Sequence, residues 1–238
     1  MTLSRSVTRR QFISASTVGD EGGAPGGTLP GKPGSIAADN GYLVRYARPA
    51  MAADFQIFLV AGRDDRGSEA ALAALDRIDA IESQLTIYRD TSEVLEINHR
   101  AAEEPVVVEP RLFVLLRQAL EWHRSTDGAY DVTSGPLSRA WGFSRRQGRV
   151  PNEAELEAAR CLVGSQQILL DEATQSIRFL RPGVEINLNS VGKGYALDRC
   201  RELFADFGIV DFLLHGGQSS VLAGGSPGLG PEIGRAHV

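Results

Sequence analysis

The chain has little of what disulfide frameworks, metal clusters and membrane spans are made from. Two cysteines, Cys161 and Cys200, occur in 238 residues, and no Cys-x-x-Cys is present. That arithmetic excludes a disulfide framework and a zinc site, and the four histidines show no metal-ligand spacing either. Each thiol is therefore expected to be a small buried apolar residue, with Cys200 on the same helical stripe as Leu203 and Phe207. No apolar run approaches the ~18 residues that a membrane-crossing helix needs. Basic charge is also scarce: 25 Lys and Arg against 30 Asp and Glu leave a net charge of −5 and a pI near 5.5. No positive field is available to hold nucleic acid or an anionic membrane surface.

What remains, 42% hydrophobic and 23% charged residues, fits one globular domain with unstructured length to spare. Near the start, Thr8-Arg9-Arg10-Gln11-Phe12-Ile13 is similar to a twin-arginine export signal but lacks the apolar segment that should follow. Residues 19–34 hold seven glycines and three prolines, a composition that buries no face and reads as linker. The expected organisation is a disordered leader and Gly/Pro-rich linker over 1–41, a domain over 42–223, and an unrelated or disordered tail over 224–238. From Gly224 the tail carries five glycines and two prolines.

Within the domain, alternation around Tyr42, Val44 and Tyr46 and around Phe55, Ile57 and Leu59 predicts two strands. Leu72, Leu75, Ile78, Ile81 and Leu85 form one helical stripe between Ser68 and Leu85, and a second helix is expected over Leu112 to Trp122 after a strand at Pro105–Val108. Asn152-Glu153-Ala154-Glu155 has the pattern of a capping box. A hairpin is expected from Ile168–Leu170 and Ile177–Leu180, then a strand at Val184–Leu188, a helix closing at Gly208 and a strand at Val210–Leu214. Helices and strands interleave without a regular βαβ period, which points to α+β.

Two segments stand out chemically. In Asn187-Leu188-Asn189-Ser190-Val191-Gly192-Lys193-Gly194 a strand is expected to turn through glycines around a lysine into a helix. Such a corner suits a phosphate, because backbone amides, helix dipole and lysine all favour an anion. An ordinary tight turn is the competing reading of Gly-Lys-Gly. The other segment runs from Thr126-Asp127-Gly128-Ala129-Tyr130-Asp131 through Val132-Thr133-Ser134-Gly135-Pro136-Leu137 to Trp141-Gly142-Phe143, and reads as a long loop of the kind that serves a site.

Together these segments resemble the ApbE-type FAD:protein FMN transferases. Arg48-Pro49-Ala50-Met51, Thr86-Ile87-Tyr88, Ser92-Glu93, Asn98 and Gly216-Gly217 add matches in the right order. The resemblance covers about Arg48 to Ala223 and implies an ApbE-like α+β fold, with a mixed or antiparallel sheet and flanking helices, whose C-terminal part is expected to be missing here. It implies Mg²⁺-dependent transfer of FMN from FAD to a threonine or serine hydroxyl of an acceptor flavoprotein, such as a subunit of a membrane redox complex, with release of AMP. It also assigns residues: Met51 and Tyr88 to the isoalloxazine, Ala129, Tyr130 and Asp131 to the flavin-binding loop, Asn187 and Lys193 to the nucleotide, and the Ser190 carbonyl to magnesium. No catalytic base is assigned. Core packing for Met51 and Tyr88, an Asx-turn for Asp131 and a solvated loop position for Lys193 are the structural alternatives. Asp198 is read as structural and His215 as locally satisfied. Because the family's downstream metal carboxylate is not matched, a truncated and inactive transferase, an FAD pyrophosphatase and a non-catalytic flavin-binding protein stay open. Members are usually exported, whereas the missing apolar segment leaves the cytoplasm open for this chain.

Overall fold

The structure, a computed structural model, describes residues 42–143 and 148–225. The expected leader and linker, and the tail beyond Gly225, lie outside the described residues. In chain order the elements are β1 (Leu43–Ala50), β2 (Ala53–Val60), α1 (Gly67–Leu85), α2 (Glu93–Arg100), β3 (Val106–Val107), α3 (Pro110–Ser125), α4 (Gly135–Ala140), α5 (Glu153–Arg160), β4 (Ile168–Asp171), β5 (Ser176–Phe179), α6 (Gly192–Asp206), β6 (Phe212–Gly216) and β7 (Ser220–Gly224). The chain divides into two units, one made of residues up to Asp79 and from Lys193 onward, the other of Ala80–Gly192.

In the first unit, β1-β2-β6-β7 form one antiparallel sheet. Alternation buries Phe55, Ile57 and Leu59 of β2 on one face, as the sequence pattern requires. Pro49 fits because β1 is an edge strand and needs no donor on its outer side. On α1, Ala70, Ala71, Ala74, Leu75 and Ile78 are buried, whereas Leu72, expected in the stripe, is 37% exposed. At 100° per residue the buried stripe runs through 71, 74, 75, 78, 81 and 85, and Leu72 falls to its side. Helix α6 ends in a Schellman motif: Gly208 has φ +76°, the Ile209 amide donates to the Phe204 carbonyl at 2.9 Å, and the Gly208 amide donates to Ala205 at 3.0 Å. Cys200 is buried as expected, its Sγ 3.6 Å from the Ala74 carbonyl, and burial pushes the thiol up to about 12.

The second unit holds the three-stranded antiparallel sheet β3-β5-β4. Its helices start where local chemistry says they should. Ser92 caps α2 by accepting from the Leu95 amide at 3.4 Å, and Glu109 caps α3 by accepting from Arg111 and Leu112 at 3.0 and 2.9 Å, with Pro110 opening the helix. The capping box at Asn152 and Glu155 is formed in both directions. The expected hairpin is present as β4 and β5, with Asp171 accepting from the Ala173 amide at 2.8 Å in its turn.

Four expectations need correction. Val184–Leu188 is not a strand: the Asn98 side chain accepts from the Ile186 amide at 2.8 Å and donates to its carbonyl at 3.0 Å, and the Asn187 amide donates to Val132 at 2.8 Å. A side-chain amide takes the place of a neighbouring strand, so the backbone is satisfied without a ladder. The Thr126–Phe143 segment is not all loop, since Gly135-Pro136 opens the short helix α4. Cys161 is exposed, not buried, because it caps the end of α5. The last strands are β6, shifted two residues from the expected Val210–Leu214, and β7, which the sequence pattern had not indicated.

Candidate functional site

In the second unit, α3 delivers the chain into the 126–133 loop. Thr126 donates its hydroxyl to the Trp122 carbonyl at 2.7 Å and accepts from the Tyr130 amide at 3.1 Å, while the Gly128 amide donates to the His123 carbonyl at 2.9 Å. Asp127 and Gly128 take left-handed φ of 50° and 80° to make the turn. Ala129 is exposed.

The Asp131 carboxylate faces inward and its oxygens are saturated. Oδ1 accepts from the Thr133 amide at 2.8 Å, the Thr133 hydroxyl at 2.6 Å and the Ser165 hydroxyl at 2.9 Å; Oδ2 accepts from the Ser165 amide at 3.0 Å. His123 Nδ1 adds a contact to Oδ2 at 3.1 Å. The Thr133 hydroxyl in turn accepts from the Gly164 amide at 2.7 Å. This network joins the loop to the turn before β4.

Tyr130 packs edge-to-face on Trp122 with centroids 5.7 Å apart. Its phenolic oxygen is buried without a hydrogen bond of good geometry. Burial first, then the Asp131 charge, push the phenol above its ordinary value, and the nearby Ser190 hydroxyl pulls the other way. Asn187 is 8% exposed and accepts from the Asn189 amide at 2.9 Å in an Asx-turn, while Ser190 is exposed. The structure thus brings Tyr130, Asp131, Asn187 and Ser190 into one region of this unit. Tyr88 is 61% exposed, its amide held by the Thr86 hydroxyl at 3.2 Å.

In the first unit a second group of assigned residues converges at one end of the four-stranded sheet. The β1–β2 turn is the two-residue loop Met51-Ala52, with φ of 50° and 57°, a geometry in which Asn-Gly is the usual sequence. Gly217 (φ +69°) forms the next turn: its amide donates to the Asp54 carbonyl at 3.1 Å, and a Cβ there would stand 2.8 Å from the Cβ of Ala53. Gly216 lies against Lys193, whose Cβ would be 3.5 Å from one added to the glycine. Neither Gly192 nor Gly194 has a positive φ. Both are inside α6, so no left-handed turn exists at the lysine, and a Cβ on Gly194 would meet open space. His215 packs its ring edge-to-face on Phe58 at 5.7 Å, and Asp198 is exposed on α6.

Magnesium is a hard cation that takes six oxygen ligands near octahedral geometry, commonly several waters with one or two carboxylates. Among the described residues no group of three or more His, Cys, Asp or Glu side chains could hold a metal ion. The Ser190 carbonyl alone does not fit the demand. Among the described helices, none is long and apolar enough to cross a membrane.

The sequence model of the ApbE family matches residues 51–234. The chain belongs to the ApbE family. Among curated ApbE relatives, a FAD:protein FMN transferase of Klebsiella pneumoniae (strain 342) is 35% identical over 125 residues, 52% of this chain and 40% of the relative. Another so named, from Vibrio cholerae, is 27% identical over 184 residues, 76% of this chain and 54% of the relative. Of solved structures, the ApbE protein of Thermotoga maritima aligns with a TM-score of 0.70 and 27% identity, covering 81% of this chain and 60% of that one. The flavin transferase ApbE of Vibrio cholerae aligns at 0.71 with 23% identity, covering 78% and 60%. The fold is α+β, as in these ApbE structures. The chain spans about half the length of the curated relatives it matches.

Sequence reasoning missed His123. The available signal was a histidine in the last turn of α3, separated by Arg124 alone from Ser125-Thr126-Asp127-Gly128.

Proposed function

We propose that the protein takes part in transfer of FMN from FAD to a threonine or serine hydroxyl of an acceptor flavoprotein. The observation that carries this reading is the ApbE match over residues 51–234, together with relatives named FAD:protein FMN transferase. In the reaction, the acceptor hydroxyl gives up its proton to solvent as its oxygen bonds to the FMN phosphorus, the diphosphate bridge breaks, and AMP leaves with the bridging oxygen. The flavin residues in this reading are Met51, Tyr88, Ala129, Tyr130 and Asp131, with Asn187 and Lys193 serving the nucleotide. Asp131 acts from beneath, because its oxygens are already occupied by Thr133 and Ser165; its part is to hold the loop. The Tyr130 hydroxyl, buried beside Ser190 without a bond of good geometry, has hydrogen-bonding capacity for a ligand beside it. Magnesium, when bound, would neutralise diphosphate charge. In this reading the Ser190 carbonyl would supply one oxygen ligand.

The test is incubation with FAD and Mg²⁺, with and without a threonine-bearing acceptor domain of a flavinylated redox subunit, following AMP and covalent flavin fluorescence. AMP with flavin on the acceptor supports transfer. AMP and free FMN without acceptor would mean a pyrophosphatase, and FAD binding with no AMP a non-catalytic flavin protein. Lys193→Ala is expected to weaken FAD binding about tenfold, the scale of one lost charge-assisted hydrogen bond. Unchanged affinity removes the lysine from the site.

A further inference from the structure

The 126–133 loop is wrapped around one imidazole. His123 Nδ1 stands 3.1 Å from Asp131 Oδ2 and also 3.1 Å from the Tyr130 carbonyl oxygen. Both neighbours are acceptors, and a nitrogen lone pair cannot face a carboxylate and a carbonyl at that distance without repulsion. Nδ1 therefore carries the proton, shared between the two oxygens. Gly128 covers the ring: a Cβ on it would sit 3.4 Å from His123 Cε1 and 4.0 Å from each ring nitrogen. The His123 backbone carbonyl takes the Gly128 amide at 2.9 Å. One residue on the last turn of α3 thus grips the loop at Gly128, Tyr130 and Asp131 together.

We propose that His123 is a positioning residue for flavin binding. Its Nδ1–H fixes the Tyr130 carbonyl and the Asp131 carboxylate in one arrangement, and so sets the direction in which the Tyr130 side chain leaves the loop between Trp122 and Ser190. Among the described residues the other donors to the Asp131 carboxylate are Thr133 and Ser165, neither of them on α3. Without His123 the carboxylate stays held, but the Tyr130 carbonyl loses its donor, and the residue keeps only its amide bond to Thr126 and its packing on Trp122. The inference deepens the flavin reading above and rests on it.

The test compares His123→Ala, His123→Asn and His123→Gln by FAD affinity from flavin fluorescence titration, with folding checked by circular dichroism and thermal melting. Asparagine can place its amide nitrogen where Nδ1 stands, whereas glutamine, one methylene longer, places it near Nε2. His123→Ala is expected to weaken FAD binding about tenfold, His123→Asn to recover most of that loss, and His123→Gln to recover little. A stability effect alone would not rank asparagine above glutamine in affinity at a temperature where all are folded. Equal affinities for asparagine and glutamine, or an alanine variant that binds like the parent, would overturn the inference while leaving the flavin reading intact. A parent chain that binds no FAD overturns both.

Discussion

Two segments assigned to the flavin are held in opposite ways. The Ala129–Thr133 loop is over-determined: backbone amides, two hydroxyls and an imidazole converge on one carboxylate. The Met51-Ala52 turn is the reverse, two non-glycine residues with left-handed φ and nothing of glycine's freedom to support them. In the first, stability and site geometry coincide. In the second, the backbone carries a cost of about 1–2 kcal/mol per residue, of the kind that functional sites retain. The same family of contacts can therefore be built by saturating a polar group or by tolerating strain, and substitutions should affect the two segments with opposite sign.

The largest effect is expected at Asp131. Asp131→Ala removes the acceptor from the Thr133 and Ser165 amides, with Thr133 at 0% and Ser165 at 4% exposure. Leaving such donors unmet should destabilise the protein by about 3–5 kcal/mol, read from urea unfolding. A loss below about 1 kcal/mol would mean that water replaces the carboxylate, and the contrast between the segments would fail. Next is Thr133→Val, which keeps the shape but strips the hydroxyl that links Asp131 to the Gly164 amide. About 2 kcal/mol is expected. Because both changes act on one network, the double variant should lose less than the sum, and strict additivity would show that the two residues act separately.

How much of this was legible in the sequence depends on the range of the cause. Helix α5 was readable from Asn152 and Glu155, α6 from its stop at Gly208, and the β4–β5 hairpin from its flanking apolar runs, because each is decided within a few residues. The non-strand at Val184–Leu188 was not, since its partner is the side chain of Asn98, 88 positions away. The resemblance brought Asp131 and Tyr130 into the candidate site, but only the folded chain shows that the carboxylate points inward and that His123 stands beneath both. Gly192-Lys193-Gly194 was expected to open a helix and does, but the turn itself lies before it. The two glycines begin the helix with ordinary φ, and what they leave beside Lys193 is open backbone at Gly194.

The smallest effect, and the one of opposite sign, belongs to Ala52. Its φ of 57° is expensive for alanine and free for glycine. Ala52→Gly should raise stability by about 1 kcal/mol, after the extra chain entropy that glycine gives the unfolded state, which corresponds to roughly 3 °C in Tm for a protein of this size. If the strained turn serves to hold Met51 in place, the same change should weaken FAD binding by loosening the residue beside it. A more stable variant with weaker affinity would tie the strain to the ligand, since a gain in stability has no other reason to cost binding. A variant that gains stability at unchanged affinity would make the turn a tolerated imperfection of the hairpin and leave Met51 positioned by the sheet alone.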